Sequence, residues 1–597
     1  MGAFMSTENE SYFITVENAK KYLKSVLQNK FEEAFFENCI KKLFFLCIKD
    51  VKQEYFFIED LKICLNIMQI NHDISESEIF KFGYNGNLWP NRIKISNGTV
   101  LFFSEKNLNK RVPAFVRNLF YYTELNSNQV DYEEEISQFD LMGTSVITCE
   151  KKIRQYMEDA VSRKQCLDRI LHTNFVNSAS YMGSKKKIAG FIVESMFPYI
   201  KEDSILIDIM CGSGAMSRAF AQIGRTYASD AQDFCRLLAK IQGKGYTKQR
   251  AEIILEQILP AYNRHFNELL EYYKKDILEE EYIFHMDLSN VDIVLDRYLK
   301  YIETFELYSS TYIISKEMQE KVEERKSNYK LFPYCLFTLY FANIYFGLLQ
   351  CIQLDSLRYA IDQLDSTEDV DWALGVLVVT AYQISTGHAG HFAQPKKIDK
   401  KSLGMILKDR QKSAYFEFTK RFLCLAEESE YCNFEIGSIP GPWPTALERI
   451  NKELEGNRVI YLDAPYKRDE YSRYYHVLET LVKYDYPHSE RKGRIRSKRF
   501  GDRFSTEFFT KTIYKIEDIF VDIISEILDS GAICVWSYSD NGMASIINVI
   551  NGVLKNIECD IFLYGTHYEH KSQRKIKGGN KRNIPVMEYS IIFRQKT

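Results

Sequence analysis

Proline and glycine are scarce in this chain of 597 residues, which contains 12 Pro and 28 Gly. Such a composition argues against long flexible linkers, a collagen-like chain and wholesale disorder. Hydrophobic residues make up 45% of the chain and aromatic residues 14%. The sequence therefore predicts a folded protein with a well-filled core, and its length suggests about three or four domains.

An excess of charge of one sign is also missing, since 78 Lys and Arg face 81 Asp and Glu for a formal net charge of −3. Any contact with nucleic acid must therefore use local basic patches. The 13 cysteines are widely spaced, with Cys39/Cys47 and Cys424/Cys432 the nearest pairs. This spacing excludes CxxC zinc sites and a disulfide framework. Scattered thiols are typical of the reducing cytoplasm, where we expect this protein.

Long hydrophobic runs are rare. No signal peptide is readable in residues 1–10, and one uncharged stretch, Leu331–Leu354, is long enough to span a bilayer. Asn343, Gln350 and Gln353 lie within that stretch. We therefore predict a buried helix there, with association with a membrane as the alternative.

Short apolar runs indicate an α/β domain. Ser204–Met210 leads into the glycine turn Cys211-Gly-Ser-Gly214 and is typical of a buried parallel strand that feeds a helix. A second strand, Arg225–Ser229, ends at Asp230. Further strand character is found at Arg458–Leu462, at Ala532–Tyr538 and in a final pair near 560–568 and 585–593.

These runs predict a doubly wound, Rossmann-like α/β domain formed by residues 176–242 and 445–597. Residues 243–444 show mostly helical periodicity, as in Lys330–Leu364, and form a helical insertion. Residues 1–175 form a separate, mainly helical N-terminal domain.

A β-hairpin is indicated in the N-terminal domain at Arg92–Phe103, around the turn Asn97-Gly98. Helices followed by a hairpin resemble a winged helix. Such modules bind DNA in some proteins and only mediate packing in others, and both interpretations stay open.

The glycine turn is a weak signal by itself. Gly212 and Gly214 let the backbone approach a ligand closely, and the next helix presents its N-terminal amides. An acidic residue at the end of the second strand, here Asp230, suits the two hydroxyls of a ribose. A tight βα turn with a surface aspartate explains these two features equally well.

The tetrapeptide Asp463, Ala464, Pro465 and Tyr466 is more specific. It follows a predicted parallel strand, at the edge where α/β proteins bind ligands. Pro465 restrains the backbone, so that a carboxylate and a fixed carbonyl offer two acceptors to an exocyclic amino group. Tyr466 offers a face on which a planar base stacks.

Four segments together resemble the Dam-like class of S-adenosylmethionine-dependent DNA adenine-N6 methyltransferases. In that family Tyr/Trp-x-Gly-(Gly/Ser)-Lys, Asp-x-Phe-x-Gly-Ser-Gly, an acidic residue and Asp-Pro-Pro-Tyr follow one another. Here the segments are Tyr181–Lys185, Asp208–Gly214, Asp230 and Asp463–Tyr466, in the family's order. The close match covers about 65 residues at the start of the α/β block and about 140 at its end. Met210 replaces the family's Phe, and Ala464 replaces its first Pro.

The resemblance implies methyl transfer to an adenine that flips out of the duplex. Asp463 and the carbonyl of Ala464 would hold the amino group, and Tyr466 would stack on the ring. It implies that S-adenosylmethionine is bound by Tyr181, Lys185, Asp208, Cys211, Gly212, Ser213, Gly214 and Asp230. It implies no metal, and it makes the insertion a target recognition domain.

Double-stranded DNA is the expected partner, and no membrane is expected. Two basic tracts, Arg491–Arg499 and Lys571–Arg582, each carry six Lys or Arg and suit phosphate contact. The second tract is expected to be a hairpin loop between the last two strands. The predicted DNA contacts are Tyr471, Arg473, Tyr474, Arg494, Arg496, Arg499, Arg574, Lys575, Lys577, Lys396 and Lys397.

The N-terminal domain favours a restriction-modification or phage-defence setting, with a cognate nuclease or defence subunits as partners. The alternative is a non-catalytic DNA-binding or assembly subunit that keeps the methyltransferase fold. Transfer to cytosine N4 or to RNA is a third interpretation, and Asp463 favours adenine over cytosine.

Overall fold

The structure, a computed structural model, describes most of the α/β block and of the insertion. The described residues are 13–28, 33, 48–49, 54–57, 94–96, 183–196, 199–201, 203–303, 334–388, 391–466, 470–490, 493–510, 512–539, 541–575 and 581–596.

Fifteen strands are found in these residues. They are β1 (Phe13–Thr15), β2 (Ile48–Lys49), β3 (Glu54–Phe57), β4 (Lys94–Ser96), β5 (Ile205–Asp208), β6 (Arg225–Asp230), β7 (Gly387–His388), β8 (His391–Pro395), β9 (Ile436–Pro440), β10 (Arg458–Leu462), β11 (Ser489–Glu490), β12 (Ile495–Arg496), β13 (Ile533–Ser539), β14 (Cys559–Lys575) and β15 (Lys581–Gln595).

The helices of the described residues are mostly short outside the insertion. They are α1 (Val16–Leu27), α2 (Ala189–Met196), α3 (Ala215–Phe220), α4 (Asp233–Lys240), α5 (Lys248–Tyr272), α6 (Lys274–Phe284), α7 (Val291–Glu303), α8 (Leu336–Phe341), α9 (Leu348–Ile361), α10 (Thr367–Ile384), α11 (Leu403–Arg410), α12 (Ala414–Ser429), α13 (Trp443–Glu453), α14 (Tyr471–Tyr474), α15 (His476–Lys483), α16 (Ile513–Asp529) and α17 (Ile546–Asn556), and a 3₁₀ turn lies at Leu288–Asn290.

An eight-stranded mixed sheet organises the chain, in the order β4-β14-β15-β13-β10-β5-β6-β9. Strands β9, β6, β5, β10 and β13 are parallel, whereas β15 is antiparallel to β13 and to β14. Every residue of β5 is buried, as expected for a parallel strand that is covered on both faces. The predicted α/β class is confirmed, and the sheet is compatible with a Rossmann-like fold.

The strand order reverses between β5 and β10. From β5 the chain moves to β6 on one side, and it returns to the other side at β10. In open α/β sheets the ligand crevice lies at this reversal, beyond the carboxyl ends of the strands. Asp208, the last residue of β5, and Asp463, the residue after β10, both lie at this edge.

Helices cover both faces of the sheet. On one face Ile205 and Ile207 of β5 pack in a cluster with α13, α16 and α17. On the other face Leu206 packs with α2 and α3. Successive residues of β5 therefore point to opposite faces, as strand geometry requires, and the sheet is buried between two apolar layers.

The predicted strands lie close to where the structure has them: β6 extends the predicted strand by Asp230, and β10 coincides with its predicted range. Strand β9 was not predicted, and it lies in the range predicted for the insertion. Its Gly437 and Pro440 weaken the strand pattern. A Cβ on Gly437 would lie 2.3 Å from the ring of Tyr227 in β6, so packing with β6 accounts for this glycine.

The insertion is helical, with α5 to α12 around the largest apolar cluster of the described residues. The predicted helical run Lys330–Leu364 is interrupted, because the chain turns between α8 and α9 with Asn343 at φ 60°. Gln350 donates to the carbonyls of Asp409 and Lys412, so this polar side chain is satisfied in the protein interior. Among the described helices, none combines the length and apolar character needed to cross a membrane.

Few N-terminal residues are described. Strands β1, β3 and β2 form a small antiparallel sheet, and β4 pairs in parallel with β14 at the edge of the large sheet. The predicted turn Asn97-Gly98 lies outside the described residues. The winged-helix interpretation and the domain boundaries stay predictions.

Candidate active site

A cavity of about 900 Å³ opens at the carboxyl edge of the sheet. Residues from all four predicted segments line it. They are Lys185, Asp208, Cys211, Gly212, Ser213, Asp230, Asp463, Ala464, Pro465 and Tyr466. Gly214 is not among the lining residues, and Tyr181 of the first segment lies outside the described residues.

The glycine turn connects β5 to α3. Gly214 has φ 75°, and a Cβ at this position would lie 2.5 Å from the Cα of Ala239 in α4. The side-chain amide of Gln242 donates to the carbonyl of Ser213 at 2.5 Å and holds the turn against α4. Gly214 is therefore required by close packing behind the turn, while Gly212 faces the cavity.

Asp230 is fixed at the end of β6 by two backbone donors. Its Oδ2 accepts from the N–H of Gly212 at 3.0 Å, and its Oδ1 accepts from the N–H of Gln232 at 3.0 Å. Burial raises the pKa of Asp230 to about 6, against the two N–H groups that favour the charged form. The side chain of Cys235 also hydrogen-bonds to this carboxylate, and because a carboxylate has about four acceptor sites, it still has room for a further donor.

Asp208 is turned toward α3. It is 1% exposed, and its Oδ2 accepts from the hydroxyl of Ser217 at 2.6 Å. Burial raises the pKa of Asp208 to about 7, and the nearby carboxylates Asp463 and Asp230 add to this effect. Asp208 thus lies in the wall of the cavity and holds the first turn of α3.

Asp463 follows β10 and pairs with Lys185, whose Nζ lies 3.1 Å from its Oδ1. The same Nζ lies 4.1 Å from the centroid of the Tyr466 ring. Burial raises the pKa of Asp463, while the charge of Lys185 opposes this shift. One ammonium group therefore contacts both the carboxylate and the aromatic ring of the tetrapeptide.

The ring of Tyr466 is held from behind. Its hydroxyl lies 3.1 Å from the hydroxyl of Ser537 and donates to Glu588 at 3.2 Å. Glu588, on β15, is 5% exposed and lines the cavity. It was not predicted as a site residue, because no motif surrounds it and only the pairing of β15 with β13 brings it to the site.

Trp443 is a second unpredicted residue of the cavity. It follows β9 between Pro442 and Pro444, and all three line the cavity. Its indole N–H donates to Glu507 at 2.6 Å. A tryptophan between two prolines is a pattern that could have marked this position. It was missed because β9, the strand that brings Trp443 to the cavity, was not predicted.

The cavity is acidic. Among the residues that the structure describes, two lysines and no arginine line it, against six carboxylates: Asp208, Asp230, Asp463, Glu470, Glu507 and Glu588. Such a lining favours a cationic ligand. Among the described residues, no three His, Cys, Asp or Glu side chains are grouped so that they could hold a metal ion.

The aromatic residues after the tetrapeptide divide into two groups. Tyr471 and Tyr474 of α14 line the cavity, and Tyr474 lies 5.0 Å from the ring of His391 in β8. Arg473, between them, is not among the lining residues. The next two residues, Tyr475 and His476, are fully buried and belong to the core.

The first basic tract is only partly exposed. Arg494 and Arg496 are 9% and 3% exposed. Both Nη atoms of Arg496 bond to Asp485, at 2.7 and 2.5 Å, so its guanidinium is engaged within the protein. Arg499 is exposed, with its guanidinium 5.5 Å from the ring centroid of Phe500. DNA contact by these residues stays a prediction. Because Arg494 and Arg496 are buried, Arg499 is the best placed of the three to contact DNA.

The second basic tract lies largely in strands. Arg574 and Lys575 are the last residues of β14, so they do not lie in the loop predicted there. Lys577 lies outside the described residues. Lys396 and Lys397 follow β8, and the side chain of Lys397 is 86% exposed.

The comparisons with known proteins cover a small part of the chain. It is 37% identical over 75 residues to the modification methylase LlaI of Lactococcus lactis subsp. lactis. The aligned stretch covers 13% of this chain and 12% of that protein. No protein-family model matches the chain, and no solved structure matches it.

Proposed function

We propose that this protein transfers the methyl group of S-adenosylmethionine to the N6 amino group of an adenine flipped out of double-stranded DNA. The observation that carries the proposal is one cavity that contains Asp463, the anchored ring of Tyr466 and the glycine turn with Asp230. The partial similarity to a modification methylase supports methyl transfer in general.

The residues fit the cofactor. The acidic lining suits the positive charge of a sulfonium. Asp230, which has acceptor capacity left, would bind the ribose, and the ring of Trp443 offers an apolar face to the adenine moiety. When bound, S-adenosylmethionine supplies an electrophilic methyl group.

The tetrapeptide would hold the target. Asp463 and the carbonyl of Ala464 accept the two hydrogens of the N6 amino group, which directs the nitrogen lone pair away from them. Tyr466 stacks on the base. Because burial raises the pKa of Asp463, this carboxylate is also suited to take the proton that the methylated amine releases.

A modification enzyme of a restriction-modification or phage-defence system is the setting we propose, with a nuclease or other defence subunits as partners. The name of the similar protein supports this setting. DNA would lie against Tyr471, Tyr474, Arg499 and the lysines after β8.

The test is methyl transfer from labelled S-adenosylmethionine to unmethylated double-stranded DNA, followed by mass spectrometry of the nucleosides. We expect N6-methyladenine as the product. N4-methylcytosine as the product would contradict adenine as the target base. Label found in RNA alone would contradict DNA as the substrate. Cofactor binding without any product would favour the non-catalytic alternative.

Cofactor affinity is expected to fall at low pH. The pKa of Asp230 is about 6, so its carboxylate is ionised above pH 6 and protonated below it. Between pH 7 and pH 5 the affinity for S-adenosylhomocysteine should fall about tenfold, because the neutral acid is a poorer acceptor. Titration calorimetry measures this, and Asp230→Asn should bind weakly at both pH values. If the affinity of Asp230→Asn for S-adenosylhomocysteine showed the same pH dependence, the role of Asp230 in cofactor binding would be contradicted.

Glu588 is expected to act as a positioning residue for Tyr466. Glu588→Ala should lower kcat about tenfold, the equivalent of one hydrogen bond to a charged group. Glu588→Gln should restore most of the rate, because its amide oxygen still accepts from the Tyr466 hydroxyl. Cofactor affinity, measured in parallel, should not change. A wild-type kcat in Glu588→Ala would refute this role.

A further inference from the structure

Strands β14 and β15 extend well beyond the sheet that contains them. Among the described residues, β13 pairs with β15 from Cys534↔Phe593 to Ser539↔Glu588. β14 and β15 stay paired beyond this point, through Glu569↔Pro585 to Lys571↔Asn583, and after a shift in register they pair again at Lys575↔Lys581. Residues His567–Lys575 and Lys581–Met587 therefore form a two-stranded antiparallel ribbon, and in the described part of the chain no third strand pairs with it.

The ribbon extends from the edge that contains the cavity. β13 is parallel to β10, and β15 is antiparallel to both β13 and β14, so β14 runs in the direction of β10. Its extension beyond Thr566 therefore leaves the sheet at the carboxyl edge. At the base of the ribbon Glu588 lines the cavity and accepts from the hydroxyl of Tyr466 at 3.2 Å. The ribbon thus begins next to the proposed catalytic residues.

The dimensions and charge of the ribbon suit a duplex. Nine residues of β14 span roughly 30 Å at the rise of a β-strand. The two strands contain five basic residues and a single acid, Glu569, in a chain whose net charge is −3. The basic residues are Lys571, Arg574, Lys575, Lys581 and Arg582. Pro585 lacks a backbone donor, which an edge strand tolerates.

We propose that this ribbon enters the major groove of B-form DNA next to the flipped adenine, a step that deepens the proposed function and depends on it. The major groove, about 12 Å wide, admits a two-stranded ribbon, whereas the minor groove is about half as wide. The major groove of A-form RNA is too deep and narrow to be read by side chains. The ribbon therefore favours DNA over double-stranded RNA as the substrate.

The first test compares the salt dependence of DNA binding in the full-length protein. Changing Lys571, Arg574 and Lys575 together to Gln should weaken binding and lower the slope of log K against log [salt] by up to about 2.7, at about 0.9 per phosphate contact. Changing Lys201, Lys452 and Lys555 to Gln is the matched control. These exposed lysines precede strands β5, β10 and β14, so they lie at the opposite edge of the sheet. Equal slopes in the two triple variants would overturn the proposal.

The second test identifies the groove. Fragments that the protein retains from a random-sequence duplex pool are treated with dimethyl sulfate, which marks guanine N7 in the major groove and adenine N3 in the minor groove. The wild-type protein should protect N7, and the ribbon variant should lose this protection while it still binds. Protection of adenine N3 alone would overturn the proposal.

The two hypotheses fail in different ways. A protein that forms N6-methyladenine but shows no ribbon-dependent protection of N7 refutes the ribbon alone. A protein that shows this protection but forms no N6-methyladenine refutes the proposed reaction alone. Cofactor affinity and thermal unfolding of both triple variants, expected to match the wild type, exclude a folding defect.

Discussion

Asp463→Ala is expected to lower methyl transfer by about 10³-fold or more, because it removes the acceptor that orients the target amine. Cofactor affinity should stay within about twofold of the wild type, since Asp230 and the glycine turn are untouched. Single-turnover transfer from labelled S-adenosylmethionine measures the first effect, and titration calorimetry measures the second. A loss of methyl transfer with unchanged cofactor affinity would show that Asp463 acts on the target base and not on the cofactor.

The Ala variant also leaves the ammonium of Lys185, 9% exposed, without its carboxylate partner. Asp463→Asn is therefore the second variant, because its amide oxygen still accepts from Lys185 while the charge is lost. It should fold like the wild type and transfer slowly. Asp529→Ala, an exposed position at the end of α16, is the control for removal of an aspartate. Wild-type transfer in Asp463→Asn would show that the carboxylate charge is not required.

Gly214→Ala is expected to abolish measurable cofactor binding, with an affinity loss of about 100-fold or more. Alanine at φ 75° costs about 1–2 kcal/mol. Its Cβ would also lie 2.5 Å from the Cα of Ala239 and 2.6 Å from Nε2 of Gln242. Because Gln242 holds the carbonyl of Ser213, the new methyl group displaces the turn against which the cofactor would lie. Calorimetry with S-adenosylhomocysteine and thermal unfolding measure the two effects.

Gly531→Ala is the matched control. Gly531 has φ 77°, and nothing lies within 4 Å of the position of its Cβ. This variant should lose only the conformational part of the stability, again about 1–2 kcal/mol, and should bind the cofactor normally. Similar behaviour of the two variants would mean that backbone conformation, and not the close packing behind the turn, makes Gly214 necessary.

Local patterns were enough to predict the central strands and the residues at their ends. An apolar run of the length of β5 or β10 fits a parallel strand buried on both faces, and the glycine turn marks the entry into α3. Asp208, Asp230 and Asp463 then follow from the rule that ligands bind at the carboxyl ends of such strands. Their roles in a reaction came from the family resemblance and stay proposals.

The N-terminal residues gave the weakest predictions. Their helical patterns and the turn Asn97-Gly98 lie largely outside the described residues, so the winged-helix interpretation stays a prediction. Strand β4 lies inside the predicted hairpin Arg92–Phe103, but its partner in the structure is β14, at the far end of the chain. A pairing over such a distance leaves no local signal.

The sequence by itself determined the α/β class and the central strands other than β9, because these depend on short-range periodicity and turn chemistry, and its motifs gave the catalytic candidates. Only the tertiary structure decided that Lys185 pairs with Asp463, that Glu588 anchors Tyr466 and that Arg496 is buried against Asp485. These contacts join residues of different elements. A tract of basic residues has the same sequence pattern whether its side chains are exposed or paired within the protein. A glycine such as Gly437 predicts the end of a strand, and only the structure shows that it makes room for the ring of Tyr227. Side-chain partners across a sheet depend on strand order and register, which pairing between distant segments decides.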